Sequence, residues 1–287
     1  MSSPIAPHLP PVLLYVPGDR PDRFAKAEAA SPGVILDLED AVATDNKAAA
    51  RAAVAAHIAA SDNPAKLWVR VGRLTLQDDI DALRDSSGYA GVMLADAVPE
   101  TLALLAEHLP DVPVLALIES AAALDALAEM AAMPNILTFG VGEVDLLADL
   151  GLRRTQSTAH VIDMLRFRMV HAAAAAELAP PVAPTSLDVR DTAGLAASTE
   201  HLRDLGFGSR TAIHPDQCRV VAEVFSPSTA QIERARALLA AFESAGRAVA
   251  VDGDGHFIDA AVLRDARATL ARAGEELAHA GEEGATS

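Results

Sequence analysis

The sequence predicts an α/β protein, a closed (β/α)8 barrel of the TIM class followed by a C-terminal extension. Three observations predict it. The chain has 287 residues, enough for one large domain, since such barrels run to roughly 250 residues. Eight short β-rich runs alternate along it with Ala- and Leu-rich helical stretches, the pattern of a parallel sheet with crossover helices. Those runs are near-continuously apolar rather than cleanly alternating, as strands covered on both faces must be.

The first run, "VLLYVPGD" (12–19), is apolar until its Gly–Asp end. The second, "GVILDLED" (33–40), packs Val34, Ile35, Leu36 and Leu38 around Asp37, Glu39 and Asp40. Side chains alternate along a strand, so Asp37 and Glu39 share one face and Leu36 and Leu38 the other. If the leucines meet the outer helices, both acids look into the barrel mouth. The third run, "KLWVRVG" (66–72), carries Arg70 where a buried charge must be paired or functional. Its guanidinium fork fits a carboxylate bidentately, either a substrate's or that of Asp37 or Glu39. "GVMLAD" (91–96), "PVLALIES" (113–120), "ILTFGVGEVD" (136–145), "PVAPTSLD" (ending at Asp188) and "RTAIHP" (210–215) complete the eight.

The helix after the eighth unit is well punctuated, with Pro227, a Ser228-to-Gln231 capping-box spacing and Gly246 as a stop. The barrel is therefore placed at residues 1–246. Residues 247–287 form the extension, with a turn-rich "VDGDGHFID", a last amphipathic helix over about 260–280 and an acidic tail.

Composition excludes several function classes. The formal net charge of −17 repels phosphate backbones, and no Lys/Arg-rich run relieves it, so nucleic acid is not an expected partner. An anionic substrate would need a locally positive pocket or a metal. The single cysteine, Cys218, rules out an intrachain disulfide and a Cys-rich metal site, which fits a reducing cytoplasm. No run of about 18 apolar residues is free of charge, so no membrane span is expected, and the N-terminus has no signal-peptide pattern.

Active sites of such barrels gather at the C-terminal mouth, where acids close nearly every candidate strand: Asp19, Asp37, Asp96, Glu119, Asp145 and Asp188. Asp40, Asp96 and Asp188 read most simply as helix N-caps. Glu119 and Asp145 differ. Two carboxylates from neighbouring strands with few other ligands suit Mg²⁺, which takes oxygen donors and keeps positions for water and substrate. Gly140 and Gly142 either let backbone amides approach a substrate carboxylate or fit a tight strand-to-loop turn. His214, before Pro215, reads as a structural hydrogen-bonder, and Cys218 as core.

Read together and in order, "YVPGDRPDRFAKA" (15–27), "VILDLEDAV" (34–42), "VRV" (69–71), "GVML" (91–94), "ALIES" (116–120), "DLLADLG" (145–151), "GFGSRTAIHPDQ" (206–217) and "FSPS" (225–228) resemble the citrate lyase beta-subunit family. That family lies in the wider group of malyl-CoA lyases and class II pyruvate aldolases. The resemblance implies a Mg²⁺-dependent carbon–carbon lyase acting on a 3-hydroxy-acyl thioester such as citryl-, malyl- or citramalyl-CoA. Glu119 and Asp145 would be the metal ligands, Asp37 and Glu39 would hold metal-bound waters, and Arg70 would grip a substrate carboxylate. The "PGDR" loop, with Arg20, Arg23 and Lys26, would form a positive rim for a CoA or acyl-carrier phosphopantetheine arm. Asp259, in the segment after the barrel, would supply the catalytic acid to a neighbouring subunit, hence a homo-oligomer, expected as a trimer. Three departures stand out: "GVMLAD" where relatives often read "GVMLPK", "GEVDL" for "GAEDL", and Gly72 where "VRVN" is usual. The rival readings are a class II aldolase, a malyl-CoA thioesterase, and a silent scaffold subunit of a lyase complex.

Overall fold

The computed structural model describes residues 9–244, 250–251 and 257–273. The described residues fall into two compact units, Leu9–Phe225 and the residues from Ser226 onward.

In the first unit, eight parallel strands close a barrel in sequence order: β1 (Val12–Pro17), β2 (Gly33–Asp37), β3 (Leu67–Val71), β4 (Gly91–Leu94), β5 (Val114–Ile118), β6 (Ile136–Val141), β7 (Val182–Ala183) and β8 (Ser209–Ala212). All eight expected runs are strands, and each stops short of its predicted end, where the chain turns into a βα loop. The helices of this unit are α1 (Phe24–Ala30), α2 (Lys47–Ala60), α3 (Leu76–Leu83), α4 (Pro99–His108), α5 (Ala121–Asp125), α6 (Leu127–Ala131), α7 (Glu143–Asp149), α8 (Ala159–Ala175), α9 (Thr192–Asp204) and α10 (Pro215–Phe225).

Two apolar layers follow from the period-two alternation of the strands. Leu13, Ile35, Trp68, Met93, Leu115 and Val182 fill the lumen. Val12, Leu14, Leu36, Val69, Val92 and Ala116 meet Leu83, Leu105, Val221 and other helix residues outside. Complete burial of each such Leu or Val stabilises the fold by about 1.5–3 kcal/mol. Leu36 and Leu38 do pack with the outer layer, so Asp37, which alternates with them, points inward.

In the second unit, α11 (Thr229–Ser244) packs against α12 (Ala260–Arg272) through Ala235, Ala266 and Leu270. Their connection contains a two-stranded antiparallel pairing of β9 (Ala250–Val251) with β10 (Phe257–Ile258). The capping box holds: Ser228 N–H donates to Gln231 Oε1 at 2.8 Å, and Gln231 N–H donates to Ser228 Oγ at 3.3 Å. α11, expected within residues 1–246, falls in the same compact unit as the last helix. Gly246, most of "VDGDGHFID" and the acidic tail lie outside the described residues.

Candidate active site

Strand register builds the mouth. Pro17, Asp37 and Arg70 are aligned across β1, β2 and β3, which puts Asp37 and Arg70 side by side on the inner face. Arg70 forks Asp37, with Nε donating to Oδ1 at 2.7 Å and Nη2 to Oδ2 at 2.6 Å. The guanidinium also lies 5.0 Å above the ring of Tyr15, a cation–π contact. Burial works against the Arg70 charge, but the hydrogen bonds and charge of Asp37 outweigh it and raise its pKa.

Asp37 is full. Besides Arg70, its Oδ1 accepts the Glu39 N–H at 2.9 Å and its Oδ2 the Ala41 N–H at 3.2 Å, so each oxygen already serves two donors. These contacts fix Arg70 in place. Glu39 is not on the strand, which ends at Asp37, but in the following loop. There its Oε2 accepts the Asp40 N–H at 2.7 Å and stands 3.3 Å from Arg70 Nη1. Burial raises the Glu39 pKa.

The expected caps are corrected too. Asp40 is exposed and stands 3.8 Å from Arg70. Asp188 forms a local turn, accepting the Arg190 N–H at 2.9 Å, while Asp191 caps α9 by accepting the Gly194 N–H at 2.8 Å. Asp96 adopts a left-handed backbone (φ 46°), a conformation Asp tolerates better than most residues. Its carboxylate pairs with Arg73 at 2.9 Å, and its N–H points at Glu119. That gives the "GVMLAD" departure a physical sense.

Glu119 follows β5 directly, and its Oε2 accepts the Asp96 N–H at 2.5 Å. Burial pushes its carboxyl up to about 7, and the negative charge of Asp145 adds to the rise. Asp145 is exposed in the first turn of α7 rather than on the strand: Gly142 ends β6 and α7 starts one residue later. Acids in a first helical turn are favoured by the helix dipole. Gly142 is needed here because a Cβ would overlap the Glu119 carboxylate, and its N–H donates to the Ile118 carbonyl at 3.1 Å. At Gly140 a Cβ would instead strike Leu115 and Leu117. Close approach, rather than a free amide, explains both glycines.

Glu119, Asp145 and Tyr15 line one cavity of about 490 Å³ in the mouth. Among the described residues, no group of three or more His, Cys, Asp or Glu could enclose a metal. Two carboxylates lining one cavity suit a hard cation that draws its other oxygens from water and substrate. In the "PGDR" loop, Arg20 is bound by Asp22 through Nε at 2.9 Å and Nη2 at 2.8 Å, and Arg23 is exposed. His214 accepts the Asp216 N–H at 3.2 Å, and Cys218 is buried in the outer core. Asp259 caps α12 in the second unit, its Oδ1 accepting the Val262 N–H at 2.8 Å.

Tyr15 and Arg210 escaped the sequence reading. Arg210 could have been found by the argument that found Arg70, since it too is a charge inside a strand.

Residues 12–215 match the HpcH/HpaI aldolase/citrate lyase family. The chain belongs to that family. Its relatives include a (3S)-malyl-CoA thioesterase of Cereibacter sphaeroides, 35% identical over 91% of this chain and 93% of the relative. A citrate lyase subunit beta-like protein of Mycobacterium tuberculosis is 36% identical over 92% of this chain and 96% of that one. The crystal structure of CitE from M. tuberculosis, in complex with magnesium, acetoacetate and coenzyme A, superimposes with a TM-score of 0.76 at 34% identity, covering 93% of this chain and 98% of that one. The relatives thus carry names of both kinds, a citrate lyase subunit beta-like protein and a thioesterase. No described helix of this member is long and apolar enough to cross a membrane.

Proposed function

We propose that the protein is a Mg²⁺-dependent carbon–carbon lyase that cleaves a 3-hydroxy-acyl thioester of the citryl, malyl or citramalyl type. The products would be a keto acid such as oxaloacetate and an acetyl thioester. One observation carries this reading: Glu119 and Asp145 bring two negative charges together in the mouth cavity, with Glu119 pushed to about 7. Such a pair is relieved by a cation. The M. tuberculosis structures of CitE with magnesium, acetoacetate and coenzyme A and of the citrate lyase beta subunit with oxaloacetate and magnesium support the choice of ion and ligand class.

Glu119 and Asp145 would hold the ion, with Glu39 beside its waters. When bound, Mg²⁺ would supply Lewis-acid polarisation of the substrate's 3-hydroxyl and carboxylate. Arg70, with Nε and Nη2 engaged by Asp37 and Nη1 3.3 Å from Glu39, would turn Nη1 from Glu39 to the substrate carboxylate. Tyr15 and Asp37 keep that guanidinium from turning away. Glycines 140 and 142 would keep the keto-acid side of the cavity open. As the C2–C3 bond breaks and the 3-hydroxyl oxygen becomes the keto oxygen, its proton would pass to solvent, and Asp259, contributed by a neighbouring copy in a homo-oligomer, expected as a trimer, would give its carboxyl proton to the α-carbon of the departing acetyl-thioester enolate. Arg20 and Arg23 would meet the phosphates of CoA or an acyl carrier.

A thioesterase is the second reading, favoured by the 35% identical malyl-CoA thioesterase. An assay of citryl-, malyl- and citramalyl-CoA with Mg²⁺, following keto acid and free thiol separately, tests both. Keto acid without thiol supports the lyase, and thiol with intact hydroxy acid the thioesterase. Cleavage of free 4-hydroxy-2-keto acids alone overturns both in favour of an aldolase. Asp259→Asn is expected to abolish turnover and leave metal binding intact; an unchanged rate removes Asp259 from the mechanism.

A further inference from the structure

The mouth cavity does not end at Glu119 and Asp145. It continues past β7 to residues of α8 and α9, where Arg154, Arg166, His201 and Arg210 line its wall. Arg210 is the unusual member. It is aligned with Val12 and Ala183, both packed in the outer core, so its side chain leaves the lumen toward α9. There it is only 4% exposed. Its Nε donates to the Pro184 carbonyl at 2.9 Å, and its Nη1 to Thr199 Oγ1 at 2.6 Å and Ser198 Oγ at 3.0 Å.

Those acceptors are all neutral. The carboxylate whose charge Arg210 feels, Glu143, is itself bound by both Arg154 and Arg166. Asp163 is likewise shared, between Arg166 at 2.9 Å and His201 at 2.9 Å. Around Arg210, the guanidiniums of Arg154, Arg166 and Arg210 thus have two carboxylates, Glu143 and Asp163, while the other acids of the cavity, Glu119 and Asp145, line it from the end of β5 and from α7. Among the described residues no acceptor takes the Nη2 group of Arg210, and Arg210 lines the cavity wall. Burial and the Arg166 charge bring Arg210 down to about 10, which leaves it charged at neutral pH. A buried cation without a counter-charge is costly unless something supplies one.

We propose that this end of the cavity is a second anion subsite that takes a carboxylate, gripped by Arg210 Nη2 from the floor and by the half-exposed Arg154 from the rim. A guanidinium edge matches carboxylate geometry, and one carboxylate balances the excess charge. The net charge of −17 works against larger polyanions. The carboxylate belongs either to the far end of the substrate or to a separate small acid. The subsite stands apart from the lyase reading, because it needs neither the cation nor turnover.

The test is calorimetry on the full-length protein, stripped of metal on a chelating resin, in Tris buffer, with succinate as probe and succinamide as its uncharged control. Succinate is expected to bind saturably at one site and succinamide not at all. Arg154→Gln and Arg210→Gln should each weaken succinate by roughly tenfold or more, about 1.4 kcal/mol, while Glu119→Gln does not weaken it. Arg210 also ties β8 to α9, so a poorly folded Arg210→Gln would leave the rim variant Arg154→Gln to decide. Absence of succinate binding, equal binding by Arg154→Gln, or loss of binding only in Glu119→Gln would overturn the subsite. Repeating the titration with Mg²⁺ and pyruvate present separates the sources. Displacement of succinate assigns the subsite to the substrate's own carboxylate, and unchanged affinity assigns it to a separate acid.

Discussion

At the scale of the residue, Arg70 and Asp37 are bound to each other before any substrate arrives. Asp37 is 1% exposed, and its four donors come from one guanidinium and two loop amides. Removing the guanidinium leaves a buried carboxylate without its counter-ion, a loss on the order of 3–5 kcal/mol. Arg70→Ala is therefore expected to lower stability by about that much in urea denaturation. The double variant Asp37→Asn/Arg70→Ala should lose less than the sum of the two single losses, because the partners share one interaction. Additive losses would show that the pair is not coupled. The sequence made Arg70 visible as a charge in a buried strand and left its partner open. Which acid it holds depends on the β2–β3 register, a tertiary fact that no local pattern records.

At the scale of the element, the eight strands were legible because apolar runs of 4–8 residues bounded by Gly, Pro and Asp carry their own signal. Their C-terminal ends were not. Asp145 looked like the end of a strand, yet Gly142 breaks β6 and the acids that follow enter the first turn of α7. Likewise Asp96 looked like a cap and proved to be a left-handed residue whose amide anchors Glu119. Gly142 joins the two carboxylates, since its missing side chain is the space that the Glu119 carboxylate fills. Gly142→Ala is expected to keep the barrel, with an unchanged circular dichroism spectrum, and to weaken Mg²⁺ binding by roughly tenfold, about 1.4 kcal/mol. Unaltered Mg²⁺ affinity would show that Glu119 has room elsewhere or is not a ligand.

At the scale of the whole molecule, the raised pKa of Glu119 links cation, pH and stability. Its ordinary value is 4.5 and burial lifts it to about 7, so between those values the folded protein binds more protons than the unfolded chain. Stability from this group is fully present below its ordinary value and is lost as pH rises through about 7. A cation seated beside the ionised carboxylate reverses that loss. Saturating Mg²⁺ should therefore raise the melting temperature more at about pH 8 than at about pH 6, in the direction set by linkage. An equal rise at both would mean that Glu119 does not titrate with the site.

The most direct measurement of the central claim, that side chains 119 and 145 jointly hold a divalent cation, is calorimetric titration of Mg²⁺ into the wild-type protein, Glu119→Gln and Asp145→Asn at about pH 8, above the raised pKa of Glu119. One site per chain is expected in the wild type, and loss of binding in both variants, each with its melting profile otherwise intact. Mg²⁺ binding that survives in either variant, or that is absent from the wild type, would contradict it.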